Sequence, residues 1–282
     1  MFNYFEHYRD FNYINALIFR NLSKLPADID LIVGIPRSGL IIAGIISEFR
    51  YLPMTDLYSF INKIPIQKIA DGSVAPEFDV TSAKHILLVD DAVGHGISML
   101  NAKEVLSKST NAKITTYTVF TEDYGKDKVD IYCQILTEQF LPWSTLKRST
   151  PVACVDIDGV LTEDVPNWAN DDGPLYIDFL KNQKQMFIPD RIIHTLVSGR
   201  LEKYRAITEE WLHAHNIQYR NLVLLNLPNN TERNKINVGA YKADVYNKIG
   251  LPLFIESDIN EAMTIKTITN KPVFCTSICN LV

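Results

Sequence analysis

Short apolar runs, each closing on polar or charged residues, recur along the whole chain. Asp30-Leu31-Ile32-Val33-Gly34, Ile86-Leu87-Leu88-Val89, Lys113 to Glu122 and Val129 to Leu136 mark the first half. Pro151-Val152-Ala153-Cys154, Ile192 to Val197, Leu222-Val223-Leu224-Leu225, Pro252-Leu253-Phe254-Ile255 and Lys271 to Cys275 mark the second. Runs this short and this continuously apolar read as strands covered on both faces, as in parallel sheets. Helical spacing fills the gaps. Over residues 3–24 it places Phe5, Tyr8, Phe11, Ile14, Ala16, Leu17 and Ile18 together, which predicts one amphipathic helix stopped at Pro26. Leu40 to Ile46 and Tyr204 to His213 predict two more helices, and another closes near Gly250. Leu52 to Phe60 reads as a further strand. Residues 61–82, with Pro65, Gly72 and Pro76 and no strong period, predict a long loop of the kind that forms lids, carrying Lys63 and Lys68. Strands alternating with helices give the fold class: α/β throughout, in two doubly wound domains with mostly parallel sheets. The polar stretch 139–150 lacks a long apolar face and reads as an ordered linker between a domain at 1–138 and one at 151–282.

Composition narrows the chemistry. A chain of 282 residues is long for one core and comfortable for two. The net charge of −5 leaves no electrostatic footprint for nucleic acid or an anionic membrane. Small anions would have to be held by local devices: loop amides, single Arg or Lys residues, or a cation. No apolar run is long enough to span a bilayer. The N-terminal residues show no basic flank followed by an apolar core, so no secretory signal is expected. Cys133, Cys154, Cys275 and Cys279 have no paired spacing and read mainly as buried free thiols, which fits a cytoplasmic protein.

Two stretches of the first half carry chemistry. After the strand at 31–34 comes Ile35-Pro36-Arg37-Ser38-Gly39, a turn at the start of a helix. Free amides there suit an anion, and the Arg37 fork suits phosphate oxygens. After the strand at 86–89 come Asp90-Asp91, then Gly94-His95-Gly96-Ile97-Ser98, with Ser98 placed as the cap of the next helix. Paired acids before an amide-lined loop suit a phosphorylated sugar: the acids take ribose hydroxyls, and the loop takes the 5′-phosphate.

The second half is organised around Val155-Asp156-Ile157-Asp158-Gly159. Asp156 and Asp158 can converge at a strand's carboxyl end, and two like charges held that close call for a cation between them. Mg²⁺, hard and oxygen-loving, is the natural one. The strand at 192–197 ends in Ser198-Gly199-Arg200, and the strand at 252–255 ends in Glu256-Ser257-Asp258.

The first half resembles the type I phosphoribosyltransferases. Their signature is an apolar strand, two acids and a loop ending Thr-Gly-x-Thr, against Asp90-Asp91 and His95-Gly96-Ile97-Ser98 here; His95 departs from that pattern. The resemblance implies that Asp90, Asp91 and residues 94–98 bind phosphoribosyl pyrophosphate (PRPP), and that Pro36, Arg37, Ser38 and Gly39 bind its pyrophosphate. The second half resembles the haloacid dehalogenase (HAD) superfamily of phosphohydrolases. That resemblance implies Asp156 as nucleophile, Asp158 as acid and base, Ser198 as a phosphoryl-oxygen holder and Lys242 as the neutralising cation, with Lys235 as a competing candidate. It also implies a Mg²⁺ site on Asp156, Asp158, Glu256 and Asp258, with either Glu256 or Asp258 as the direct ligand. Relatives often carry a cap domain; here the gaps leave room only for a short flap around Asn167 to Pro174. The expectation is a bifunctional enzyme of nucleotide or riboside metabolism, with a phosphatase regulated by a non-catalytic PRPP- or nucleotide-sensing domain as the alternative. The partners implied are PRPP and small phosphate esters, with neither nucleic acid nor membrane, and a homodimer is possible.

Overall fold

A computed structural model of the chain describes residues 4–70 and 73–282. Among the positions singled out above, Gly72 and the side chains of Phe5, Lys68 and Pro76 lie outside the described residues. The chain divides into two compact units, one of Arg9–Gln139 and one of Phe140–Val282 joined by the N-terminal residues through Tyr8. The expected helix over 3–24 is therefore two helices, α1 (Tyr4–His7) and α2 (Phe11–Asn21), in different units. The break has a local cause. Asp10 has extended backbone, and its carboxylate accepts from Tyr13 N at 2.7 Å, so α2 starts afresh behind an N-cap. Ile14 and Ile18 are buried, whereas Phe11 faces solvent.

In the Arg9–Gln139 unit, the elements after α2 are β1 (Leu31–Gly34), α3 (Ser38–Arg50), β2 (Met54–Asp56), α4 (Leu57–Ile61), β3 (Ile66–Ala70), β4 (Ser73–Phe78), β5 (His85–Val93), α5 (Ile97–Ser109), β6 (Lys113–Thr121) and β7 (Ile131–Ile135). Five strands form a parallel sheet in the order β2-β1-β5-β6-β7. All of β1 and the first six residues of β5 are buried, as their unbroken apolar runs require. Two expectations change here. Leu52 to Phe60 is a strand only over 54–56, because Asp56 caps α4 by accepting from Ser59 N at 3.0 Å and Ser59 Oγ at 2.6 Å. The expected long loop is largely the antiparallel ribbon β3–β4. Pro76 argued against a strand there, but in a two-stranded ribbon every strand is an edge and tolerates proline.

In the other unit, α6 (Pro142–Ser149) occupies most of the expected linker. It is followed by β8 (Ala153–Val155), α7 (Pro174–Asn182), β9 (Ile193–Leu201), α8 (Arg205–Ala214), β10 (Tyr219–Leu225), α9 (Asn230–Arg233), α10 (Val238–Ile249), β11 (Leu253–Glu256), α11 (Ile259–Thr269), β12 (Val273–Cys275) and β13 (Asn280–Leu281). The sheet order is β10-β9-β8-β11-β12-β13, parallel except for the β12–β13 pair. Alternation splits the core between the two faces. Ala153 and Val155 pack with Leu196, Trp211 and Phe274, while Cys154 packs with Val197, Tyr246 and Phe254. Tyr8 and Phe140 join the first of these clusters, and Phe140 N donates to His7 O at 2.9 Å. All four cysteines are free; Cys154 and Cys275 are buried, Cys133 is half-buried and Cys279 is exposed. Among the described residues, no helix is long and apolar enough to cross a membrane.

Candidate functional site

In the Arg9–Gln139 unit, β2 lies on one side of β1 and β5 on the other, so the connections leave in opposite directions. A crevice opens at such a switch point, beyond the carboxyl ends of the strands, and open α/β sheets bind ligands there. Parallel register sets Gly34 beside Val89, and Ile35 N donates to Val89 O at 2.8 Å. The 36–39 turn and Asp90 are therefore neighbours, as the sequence motifs require. The Pro36–Arg37 peptide bond is cis. Gly39 packs tightly against β5: a Cβ there would meet Val89 O at 2.6 Å and Asp90 Cα at 3.1 Å. Only glycine permits that approach.

Both helices that begin at this crevice have bare first turns. Arg37 precedes α3 and Gly96 precedes α5, and neither supplies a side-chain cap, so the first amides face outward unpaired by a capping side chain. Gly96, with φ of 77°, turns the chain into α5. Ser98, expected as the cap, is instead the second residue of the helix and is exposed. Arg37, His95 and Ile97 are exposed too, and the His95 ring lies 4.9 Å from that of Tyr124. Asp90 is buried within β5, and its Oδ1 accepts from Asp91 N at 2.9 Å. Burial, with the Asp91 charge beside it, pushes the Asp90 carboxyl up to about 8.

In the other unit, a cavity of about 310 Å³ sits at the carboxyl ends of β8, β9 and β11. Asp156, Asp158, Lys242, Glu256 and Asp258 all line it. Asp156 leaves the end of β8 with its N–H bonded to Ile255 O at 2.9 Å. Lys242, on α10, is buried and lies 2.7 Å from each of Asp156 Oδ2, Glu256 Oε2 and Glu261 Oε2. Lys235 is instead an exposed surface residue paired with Glu232. Asp258 caps α11, accepting from Asn260 N at 2.7 Å and Glu261 N at 3.0 Å, while Glu256 is wholly buried beside Asp156. Ser198 is fully buried and is not among the residues lining the cavity, and its Oγ donates to Asp158 Oδ2 at 3.4 Å.

Sequence reasoning missed the partners that set the charges. Arg200 Nη2 donates to Asp158 Oδ1 at 2.6 Å and to Gln183 Oε1 at 2.7 Å. Its position two residues beyond Ser198 on one strand puts both on the same face, and that spacing was the available signal. Glu261 has the spacing of a capping partner to Asp258 and gave no sign of reaching Lys242. The expected flap contributes Asn170 and Asp172 to the cavity wall, and Tyr176 joins them from α7. Burial raises the Asp158 pKa, but the Arg200 charge and hydrogen bonds outweigh it and hold the carboxyl below its ordinary value. Asp156 goes the other way, raised well above the ordinary range by burial and by the Glu256 charge, which Lys242 only partly offsets.

Seven carboxylates and three cationic side chains line this cavity, so its walls carry surplus negative charge on hard oxygen donors. That donor chemistry fits Mg²⁺. Among the described residues, no group of three or more His, Cys, Asp or Glu side chains is already gathered as a metal cluster.

No curated protein matches the chain. Among solved structures, a purine phosphoribosyltransferase from Pyrococcus horikoshii is 20% identical, over 48% of this chain and 92% of that one, with a TM-score of 0.37. The Helicobacter pylori xanthine-guanine-hypoxanthine phosphoribosyltransferase is 16% identical, over 49% of this chain and 91% of that one, with a TM-score of 0.38. The model of the phosphoribosyl transferase domain matches residues 4–146, about half of the chain, and the chain belongs to that family.

Proposed function

We propose that the protein joins two activities on small phosphates: PRPP-dependent phosphoribosyl transfer in the Arg9–Gln139 unit, and hydrolysis of a phosphate monoester in the HAD-like unit that follows. The transferase reading is carried by the crevice between β1 and β5, where two bare helix starts flank the Asp90-Asp91 pair. Asp90 and Asp91 accept the ribose hydroxyls, the amides of 94–98 take the 5′-phosphate, and the 36–39 turn with Arg37 takes the pyrophosphate. The bond from ribose C1 to pyrophosphate oxygen breaks as a bond from C1 to the acceptor nitrogen forms. The proton lost by that nitrogen passes to solvent.

The hydrolase reading is supported by Asp156, which lines the cavity and is pinned by Lys242. An Asp156 oxygen attacks phosphorus and the ester oxygen leaves with a proton from Asp158. Water then attacks the phosphoaspartate, giving a proton back to Asp158 and freeing phosphate. At rest Arg200 holds Asp158 ionised, so Asp158 serves as an acid only once bound substrate loosens that grip and the carboxylate takes up a proton from solvent. Asp156, Glu256 and Asp258, with Asp158 beside them, would hold Mg²⁺, which supplies positive charge against the phosphoryl oxygens when bound.

Calorimetry with PRPP and Mg²⁺ tests the first activity. Binding is expected, and Asp90→Ala with Asp91→Ala should abolish it; pyrophosphate release with a panel of bases separates a transferase from a sensor that binds without turnover. For the second activity, hydrolysis of an aryl phosphate should vanish with chelator, return with Mg²⁺ and be absent in Asp156→Asn. Full activity in Asp156→Asn would overturn the nucleophile assignment, because an amide cannot form the acyl phosphate.

A further inference from the structure

The cations that line the Asp156 cavity are not equivalent. Lys242 is held by three carboxylates and Arg200 by Asp158, so neither has charge to spare for a dianionic substrate. Arg233 differs. It lines the same cavity at the end of α9, and its Nε donates to Gly199 O at 2.8 Å, which fixes the guanidinium beside the strand end that carries Ser198. Among the described residues it forms no ion pair, and its two Nη groups have no hydrogen-bond partner. Tyr176, on α7, also lines the cavity. Its ring is braced edge-on against Tyr204 at 4.8 Å between centroids, while among the described residues its hydroxyl has no partner. A braced phenol and an anchored guanidinium, both with unused donors, thus face a floor of carboxylates.

We propose that Arg233 and Tyr176 receive the anionic oxygens of the phosphate ester cleaved at Asp156, and that the ester is a compact phosphorylated sugar. The inference rests on the phosphohydrolase reading above. A guanidinium with Nε already anchored keeps its Nη edge pre-oriented, which suits bidentate binding of phosphoryl oxygens. Asp164, Asn170 and Asn230 offer acceptors and amides to hydroxyl groups, and Val165, Leu201 and Val238 complete the wall beside them. The volume of about 310 Å³ lies at the small end of ligand pockets.

The test is steady-state hydrolysis of ribose 5-phosphate and para-nitrophenyl phosphate by the full chain, in wild type, Asp156→Asn, Arg233→Met, Arg233→Lys and Tyr176→Phe. Wild type should favour ribose 5-phosphate in kcat/KM. Arg233→Met should raise KM by about tenfold or more, as loss of a charge-assisted hydrogen bond implies, with a smaller change in kcat. Arg233→Lys should recover part of the loss, and Tyr176→Phe should show a lesser rise in KM. Unaltered thermal melting of Arg233→Lys shows that the effect is on binding. Hydrolysis with KM unmoved in Arg233→Met and Tyr176→Phe would overturn the inference and leave the phosphohydrolase standing. Preference for the aryl ester would overturn the sugar assignment. Wild-type turnover no greater than that of Asp156→Asn would overturn both readings.

Discussion

Arg200 grips Asp158 from two nitrogens: Nη2 lies 2.6 Å from Oδ1 and Nε lies 3.0 Å from Oδ2, with the guanidinium almost wholly out of solvent. Removing one partner of such a pair strands a buried charge, which typically destabilises by about 3–5 kcal/mol. Arg200→Met should therefore lower stability by about that amount near neutral pH. Because the Asp158 pKa is lowered in the folded state, its stabilising contribution is present above the ordinary value of 3.8 and is lost as pH falls through the folded value. The penalty of Arg200→Met should shrink over that same acid range. All three tryptophans, Trp143, Trp168 and Trp211, belong to the unit that contains this pair, so denaturant unfolding followed by tryptophan fluorescence reads the effect directly.

A second expectation concerns Gly39. A methyl group there would press into Val89 O and the Asp90 backbone, neither of which can yield as a flexible side chain would. Gly39→Ala should open the crevice by shifting the 36–39 turn. Overpacking of this kind usually destabilises by about 1–3 kcal/mol. PRPP affinity measured by calorimetry should fall by at least about tenfold, more than for Gly44→Ala on the same helix, where a Cβ meets only Met54 Sδ at 3.8 Å.

The central strands were legible because each is a closed apolar run ending at its chemistry. β1, β8 and β11 therefore bring Arg37, Asp156 and Glu256 to strand ends much as their spacing implies, whereas β5 runs on through Asp90 and Asp91 to Val93. Shorter-range competition was less legible. The carboxylates of Asp10 and Asp56 decide where helices begin, and apolar spacing alone runs straight through both positions. The ribbon β3–β4 was hidden because proline interrupts its alternation. In the cavity, single positions were readable but pairings were not. The Ser198–Arg200 spacing shares a face but names no partner for Arg200, and no spacing joins Glu261 to Lys242; the first contact depends on β8 pairing with β9, the second on how α10 and α11 pack.

Asp90 gives a pH signature. Its carboxyl is raised to about 8 by burial and by Asp91, so the folded chain binds a proton between the ordinary value of 3.8 and about 8 that the unfolded chain has lost. Stability from this group is fully present below the unfolded value and declines as pH rises through the folded one. Asp90→Asn keeps a neutral group at the site and removes the decline. Scanning calorimetry from pH 5.5 to 8.5 (about the span of interest) should show Asp90→Asn gaining on wild type as pH rises. A constant difference across the range would show that Asp90 does not titrate there.

The last expectation isolates the metal site from catalysis. Lys242 is the shared counter-charge of Asp156, Glu256 and Glu261, each at 2.7 Å; Asp156 and Glu256 are buried and Glu261 is half-buried. Burial opposes the Lys242 charge, but the three acids more than compensate and raise its pKa well above the ordinary value of 10.5. That stabilisation is complete below the ordinary lysine pKa and fades only as pH rises through the folded value, so it is fully present at neutral pH. Lys242→Met should destabilise the unit at pH 7 by about 3–5 kcal/mol, because it leaves the acids facing one another. Acidification should relieve part of the loss by protonating Asp156 and Glu261, whose carboxyls burial already raises. A divalent cation held by Asp156 and Glu256 would relieve it at neutral pH as well. Added Mg²⁺ should then raise the tryptophan-detected melting temperature of Lys242→Met more than that of wild type, and Lys242→Met combined with Glu256→Gln should lose this response. Equal Mg²⁺ responses in all three proteins would remove these carboxylates from the metal site, whatever the enzyme hydrolyses.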